Sequence, residues 1–370
     1  MSAIPTQAPM PTPMPYLVDG PSYTPSQASG TGTAQVFKLS SNESAVGPSP
    51  RVLQTIRDAA ATQHLYPDPD GARLAHAIAA RHGLDPTRII TAPGSDAIIN
   101  WIIQGWASNG DEVVYSAHGF QSYRIRTSSR GAVPVAAPEK ALRADVPALL
   151  AAVTPRTRIL FIANPNNPTG TYLDSDELAV LRARLRSDIL MVVDEAYFEY
   201  VDAPDYASAL ALVRDDSPNV IVTRTFSKFF GLAGLRAGWA YVPSNCVGPL
   251  GKLRGPFAVS NVALAAAIEA LTDAPHMALA SSHNRHWRDW LLGQLREQGF
   301  EVTASVGNFA LFRVPGGSQA AMALHTRLAQ RGYMTRLADQ NALADWIRVT
   351  VGHEEAMRGL VRALYEVSAV

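Results

Sequence analysis

Val220-Ile221-Val222-Thr223, followed by Thr225-Phe226-Ser227-Lys228, is the stretch that decides the fold. A short β-branched run of strand length ends in a polar cluster that carries a lysine. Three more apolar runs end the same way. Ile89-Ile90-Thr91-Ala92 leads into Gly94-Ser95-Asp96. Ile159-Leu160-Phe161-Ile162 leads into Asn164-Pro165-Asn166-Asn167-Pro168-Thr169-Gly170. Ile189-Leu190-Met191-Val192-Val193 leads into Asp194-Glu195-Ala196-Tyr197. In an open α/β sheet, ligands sit just beyond the carboxyl ends of the strands. The four clusters therefore belong to one site holding a lysine, an aspartate, a tyrosine and anion-binding turns.

Working outward, helical and strand patterns alternate from about Ala72 to Val222, with helices over Arg73–His82 and Ile98–Trp106 and short strands over 112–115 and 132–135. That alternation implies a mostly parallel sheet with helices on both faces. After Gly251 the texture changes. Helical stretches at 262–271 and 285–298 precede strand-like runs at 309–312 and 347–351, which predicts a smaller α+β domain. Residues 1–34 are rich in Pro, Gly, Ser and Thr and are expected to form a mobile arm. The expected division is thus an arm over 1–34, a large cofactor-binding domain over 35–250 and a small domain over 251–370. The leading 35–50 segment is expected to pack with the small domain.

The 370 residues suffice for such a division, and a chain this long buries roughly 75% of its unfolded surface without staples. The one cysteine, Cys246, forms neither an internal bridge nor a cysteine cage, so a reducing compartment is expected. Basic and acidic residues balance at 32 each with no basic run, which argues against nucleic acid and acidic membranes. No apolar run approaches the ~20 residues of a membrane span. The N-terminus, without Lys or Arg before Lys38, does not read as a signal peptide. Gly30-Thr31-Gly32 lacks the spacing and context of a dinucleotide fingerprint, and no histidine cluster has metal-ligand spacing with an acidic partner.

A lysine with a depressed pKa attacks an aldehyde to form a Schiff base. Alone, Lys228 reads as a solvated loop lysine; its neighbours overturn that. Asp194 at a strand end suits a protonated pyridine nitrogen, against the ordinary reading as a turn aspartate. Tyr197 and Asn167 suit a phenolic 3′ oxygen, against packing and plain turn chemistry. Ser95 and Asp96 open a helical pattern whose free N–H groups bind anions, with a simple N-cap as an equal contender. Thr225 and Ser227 offer hydroxyls to a phosphate, and Arg236, among glycines, offers a fork. Phe120 or Tyr123 can stack on a ring or fill the core. Arg348, between β-branched residues, either faces solvent or binds a substrate anion. This set is what a pyridoxal phosphate enzyme needs.

These motifs resemble those of fold-type I pyridoxal phosphate aminotransferases, and within them the histidinol-phosphate aminotransferase family. The likeness runs over roughly 15 to 366. It adds Lys38-Leu39-Ser40-Ser41-Asn42-Glu43, Tyr66-Pro67-Asp68-Pro69, Leu232-Ala233-Gly234-Leu235-Arg236, Arg254-Gly255-Pro256-Phe257 and Ile347-Arg348-Val349-Thr350-Val351-Gly352. It implies an α/β fold in which a large mostly parallel-sheet domain carries a smaller α+β domain. It implies that Lys228 is the Schiff-base lysine, Asp194 the partner of the pyridine nitrogen, and Asn167 and Tyr197 the partners of the 3′ oxygen. It places Ser95, Asp96, Thr225, Ser227 and Arg236 on the cofactor phosphate, with Phe120 on the ring. Tyr66 would reach the phosphate across a homodimer interface. Tyr16, Asn42, Arg336 and Arg348 would meet the substrate. The implied reaction passes the amino group of L-histidinol phosphate to 2-oxoglutarate, giving glutamate, in the cytoplasm, with neither nucleic acid nor membrane as partner. The chain departs from the family pattern at Ala97, at Ser44-Ala45 and at Ala258-Val259-Ser260. An aromatic amino acid aminotransferase and a threonine-phosphate decarboxylase use the same scaffold. Ser227 before the lysine favours a transaminase over the decarboxylase.

Overall fold

Seven strands form the central sheet in the order Ile89–Ala92, Gly238–Tyr241, Val220–Thr225, Leu190–Asp194, Thr157–Ala163, Glu112–Ser116, Val133–Ala137. The computed structural model describes residues 13–24, 35–216 and 218–368. Neighbouring strands run parallel except around Gly238–Tyr241, which is antiparallel to both its partners. That strand was not expected, because its Gly-Trp-Ala-Tyr sequence is short and reads as the end of the glycine-rich Arg236 segment.

Near-continuous apolar strands need cover on both faces. One face packs with helices Ala72–His82 and Asn261–Thr272 in a core that includes Ile78, Met191, Val222 and Trp239. The other packs with Ser95–Trp106 and Ser244–Leu253 around Ile99, Phe161 and Ile221. The four isoleucines of Ser95–Trp106 that recur at helical spacing (98, 99, 102 and 103) are all buried there.

A second, antiparallel sheet has the order Glu301–Val302, Phe309–Arg313, Leu343–Thr350, Arg336–Ala338. Helices Ala274–Glu297, Gly317–Gln330 and Glu354–Ser368 cover it. The N-terminal helical pattern of the first of these is broken by small and polar residues, so only its second half was legible as helix. The boundary expected after residue 250 falls inside Ser244–Leu253. Beyond it, Ala263, Ala266 and Ala267 still belong to the large-sheet core. The chain therefore passes to the smaller unit along Ala274–Glu297, because the small side chains of 261–272 let that helix lie close against Pro50–Ala60 and Ala72–His82.

Phe37–Lys38 pairs in parallel with Tyr333–Met334, and the Thr350 N–H donates to the Leu39 carbonyl at 2.8 Å. The start of the chain is thereby stitched to the second sheet, which delivers Ser40, Ser41 and Asn42 to the gap between the two units. The arm expected over 1–34 lies outside the described residues except for 13–24, where Pro15–Val18 forms one helical turn. Among the described residues no single helix is long and apolar enough to cross a membrane.

A buried ion pair ties two central strands beneath the site. Arg224 and Glu195 are both fully buried, with Arg224 Nε and Nη2 donating to Glu195 Oε2 at 2.9 and 2.8 Å. The Arg224 guanidinium also lies 3.6 Å from the centre of the Phe198 ring. Because side chains alternate along a strand, Thr223 and Thr225 point the opposite way, into the site.

Candidate active site

Two adjoining cavities, of about 540 and about 160 Å³, meet at the carboxyl ends of these strands. Asp96, Phe120, Asn167, Tyr197, Lys228 and Arg236 line both. The smaller one also takes in Ser95, Asp194, Thr225 and Ser227, so all four strand-end clusters contribute to a single hollow.

The smaller cavity has an anion cradle at one end. Helix Ser95–Trp106 begins there, with free backbone N–H groups at its start. Gly94, at φ 90°, precedes it, and a Cβ on Gly94 would lie 2.5 Å from Arg236 Nη2. A Cβ on Gly238 would lie 2.5 Å from the Ser95 nitrogen. Only glycine lets the arginine and the helix start approach this closely. Arg236 itself holds a left-handed φ of 57° and donates to Ser227 Oγ at 3.0 Å. Thr225 Oγ1 accepts from the Ser227 N–H at 3.1 Å. Asp96 does not present its carboxylate to this cradle unpaired. Its Oδ2 accepts from Arg126 Nη2 at 2.6 Å, and its Oδ1 accepts from the Ser122 hydroxyl.

Asp194 also lines this cavity, buried at the tip of its strand. The Tyr123 hydroxyl donates to Oδ2 and the Thr223 hydroxyl to Oδ1, each at 3.0 Å. Burial pushes this carboxyl up to about 6, with the Tyr123 and Thr223 donors opposing. No cation pairs with Asp194 among the described residues. The sequence left Tyr123 as a stacking or core ring. It is both buried against Phe161 and the donor to Asp194, while Phe120 meets it edge-on and lines both cavities. Spacing alone hid that role, because it depends on how helix Ser122–Ser128 packs against the end of strand Leu190–Asp194.

Lys228 Nζ donates to the Ser41 carbonyl at 2.9 Å. Desolvation, helped by the nearby Arg348, lowers its pKa to about 8. Asn42 Nδ2 donates to the Tyr197 hydroxyl at 2.9 Å, and the Arg348 guanidinium donates through Nη1 to Asn167 Oδ1 at 2.5 Å and through Nη2 to the Ser40 carbonyl. Burial lowers Arg348 to about 10. In the second sheet Arg336 and Arg348 are direct cross-strand partners. Like charges placed opposite one another are unfavourable, and neither has a carboxylate partner among the described residues.

One expected substrate-site residue is placed elsewhere. Tyr16 lines neither cavity; its ring lies against Gly131. The cavity instead takes Tyr23, over which Arg336 sits at 5.7 Å, while Arg336 Nη2 donates to the Thr24 carbonyl at 2.9 Å. A tyrosine among prolines has no periodicity to fix which ring turns inward, so the sequence could not choose between them. Tyr66 lines neither cavity of its own chain. It is 82% exposed and stacks on Phe257, with ring centres 4.6 Å apart.

The pyridoxal phosphate that the sequence implies fits this donor set. The glycine-lined cradle offers helix N–H groups, hydroxyls and a guanidinium to a phosphate, and the same cavity holds a buried carboxylate that no cation among the described residues neutralises. A lysine of lowered pKa lines the same cavity.

A model of the family described as aminotransferase class I and II matches residues 34–364. The chain is 47% identical to the histidinol-phosphate aminotransferase of Paramagnetospirillum magneticum over 357 residues, covering 96% of this chain and 98% of that protein. It is 41% identical to the Rhodospirillum rubrum protein of the same name over 360 residues, covering 97% of each. In three dimensions it is similar to the Sinorhizobium meliloti histidinol-phosphate aminotransferase solved with pyridoxal-5′-phosphate, with a TM-score of 0.86 and 30% identity. That match covers 91% of this chain and 92% of the other.

Proposed function

Because the chain belongs to the aminotransferase class I and II family and is a pyridoxal phosphate-dependent transaminase, we propose that it moves the amino group of L-histidinol phosphate to 2-oxoglutarate in histidine biosynthesis. The observation that carries the substrate assignment is the Arg336–Arg348 pair. The two arginines are direct partners across one strand pair, line the cavity that holds Lys228, and have no carboxylate among the described residues to neutralise them. A group with two negative charges satisfies both. A phosphate monoester does so, whereas a carboxylate, with a single charge, takes Arg348 alone in a fork.

When bound, pyridoxal phosphate supplies an electron sink for charge developing at the substrate α-carbon. The protein's own groups do the rest. Arg236, Ser95, Thr225 and Ser227 hold the phosphate. Phe120 covers a ring face, and Asn167 and Tyr197 hold the 3′ oxygen. Asp194 keeps a proton on the ring nitrogen, because an ionised buried carboxylate is best satisfied by a cation. Lys228 Nζ would take and hold the proton released from the substrate α-carbon. A pKa near 8 keeps part of the amine unprotonated at neutral pH. Arg348 and Asn42, with Arg336 and Tyr23, orient the substrate's anionic end. The exposed Tyr66–Phe257 pair supports a homodimer in which Tyr66 reaches the partner's phosphate. We place this dimer in the cytoplasm.

A screen of amino donors in the first half-reaction, followed by the change in absorbance of the bound cofactor, tests the assignment. Histidinol phosphate should be the preferred donor over phenylalanine and tyrosine. A preference for either aromatic amino acid would replace this reading with that of an aromatic aminotransferase.

A further inference from the structure

Asp96 sets a problem for the phosphate cradle. It is the second residue of the helix whose start forms the cradle, and it lines both cavities. A carboxylate there opposes a dianionic phosphate and offsets the charge of Arg236 and the positive end of the helix, worth roughly half an elementary charge. Its two oxygens are both engaged from one neighbouring helix, Ser122–Ser128. Arg126 Nη2 donates to Oδ2 at 2.6 Å, and the Ser122 hydroxyl donates to Oδ1. Arg126 also lines the larger cavity, and its Nε is buried without a hydrogen-bond partner among the described residues. Asp96, Arg126 and Arg236 together leave one net positive charge in the cradle; without Arg126 the formal charges cancel.

We propose that Arg126 is a positioning residue for the cofactor: it neutralises Asp96 and turns it away, so that the helix start accepts a phosphate rather than repelling one. The inference rests on the cradle assignment made above. It assigns to Asp96 a role different from direct phosphate binding. The carboxylate anchors Arg126, and the backbone N–H groups of the helix start meet the anion.

The test compares pyridoxal phosphate with pyridoxal, which lacks the phosphate, by titrating each into the full-length apoprotein at low ionic strength. Arg126→Gln should weaken pyridoxal phosphate binding by about tenfold, a fold-change set by one uncompensated charge near a protein surface. Pyridoxal binding should change by less than about twofold, because no phosphate meets the bare carboxylate. Asp96→Asn should bind pyridoxal phosphate at least as tightly as the wild type, and adding it to Arg126→Gln should restore binding. The contrast should shrink as salt is raised, since the Asp96 and Arg126 side chains are 33% and 41% exposed. An equal loss of both ligands in Arg126→Gln, no loss at all, or no recovery in the double variant overturns the proposal. Should Arg126→Gln not fold, Asp96→Asn decides alone, and weaker phosphate binding there also overturns it. A wild-type protein that binds pyridoxal as tightly as pyridoxal phosphate would instead break the cradle reading beneath it.

Discussion

In the cradle and the cavity around it, Asp194 and Thr225 stand on neighbouring parallel strands with Lys228 just past the second; Asp194 and Thr225 find their partners on the same sheet, the turn after it or the helix beside it, while Lys228 reaches the Ser41 carbonyl. In the roof of the larger cavity, Tyr23, Ser40, Arg336 and Arg348 come from both ends of the chain, and two arginines are paired across strands with no carboxylate partner among the described residues. The cradle is set by a covalently short, hydrogen-bonded register. The roof is set by how the second sheet and the leading segment lie over the first. Rigid local register suits a cofactor that stays, whereas cations left uncompensated suit a substrate that arrives with charge and leaves.

The largest effect should come from the cradle. Lys228→Ala should lower kcat by about four orders of magnitude or more, since nucleophile and proton carrier are lost together. Borohydride trapping and peptide mapping should find the wild-type adduct on Lys228 and none in the variant; an adduct on another lysine would break the assignment. Next comes Asp194→Asn, with kcat down by about two to four orders. The same change should stabilise the apoprotein. Burial raises this carboxyl from 3.8 to about 6, so its favourable contribution is present below pH 4 and is lost as pH rises through 6. At pH 7 relief of the buried charge is worth about 3 kcal/mol, and thermal melts of the apo forms at pH 5 and 7 measure it. Unchanged turnover in this variant would remove Asp194 from the mechanism.

In the roof, Arg348→Ala should reduce catalytic efficiency by about ten- to a hundredfold with either amino donor, from about 1.5–3 kcal/mol of charge-assisted bonding. Arg336→Ala should hurt histidinol phosphate more than glutamate, because the longer phosphate arm needs the second guanidinium. Pre-steady-state rates with each donor read the split, and equal losses would erase the distinction between the two arginines. Smaller still, the rate at which apoprotein captures pyridoxal phosphate should climb with pH through about 8 rather than through the 10.5 of an ordinary lysine. A plateau only above pH 10 would contradict it. The smallest effect distinguishes two tyrosines: Tyr23→Phe should cost a few-fold in efficiency, about 0.5–1.5 kcal/mol, and Tyr16→Phe nothing measurable. The reverse order would restore Tyr16 to the substrate.

This contrast also explains what was legible in the sequence. Each cradle motif sits at the end of its own apolar run, so Asp194, Asn167, Ser95 and Lys228 could be read one strand at a time, and the α/β sheet came with them. Tyr123, Thr223 and Arg126 act through partners on other elements, and nothing in their local spacing signals that. Tyr23 lies in a proline-rich stretch without periodicity. The passage to the smaller unit was misplaced because the alanine-rich helix 261–272 carries no marker of which sheet it covers.

The pairing of Phe37–Lys38 with Tyr333–Met334 has a consequence for the order in which this protein becomes an enzyme. Contacts spanning nearly the whole chain are the last to be gained, because loop closure costs entropy before they repay it. During synthesis the central sheet and the cradle can assemble once the covering helix Asn261–Thr272 has emerged, but the strand that anchors the leading segment does not yet exist. Until it does, the Ser41 carbonyl has nothing to fix it beside the lysine amine, and Asn42 has no reason to reach Tyr197. A nascent or C-terminally clipped chain should therefore hold the cofactor's phosphate end before it can turn over, with competence arriving only when the final strands close over the site.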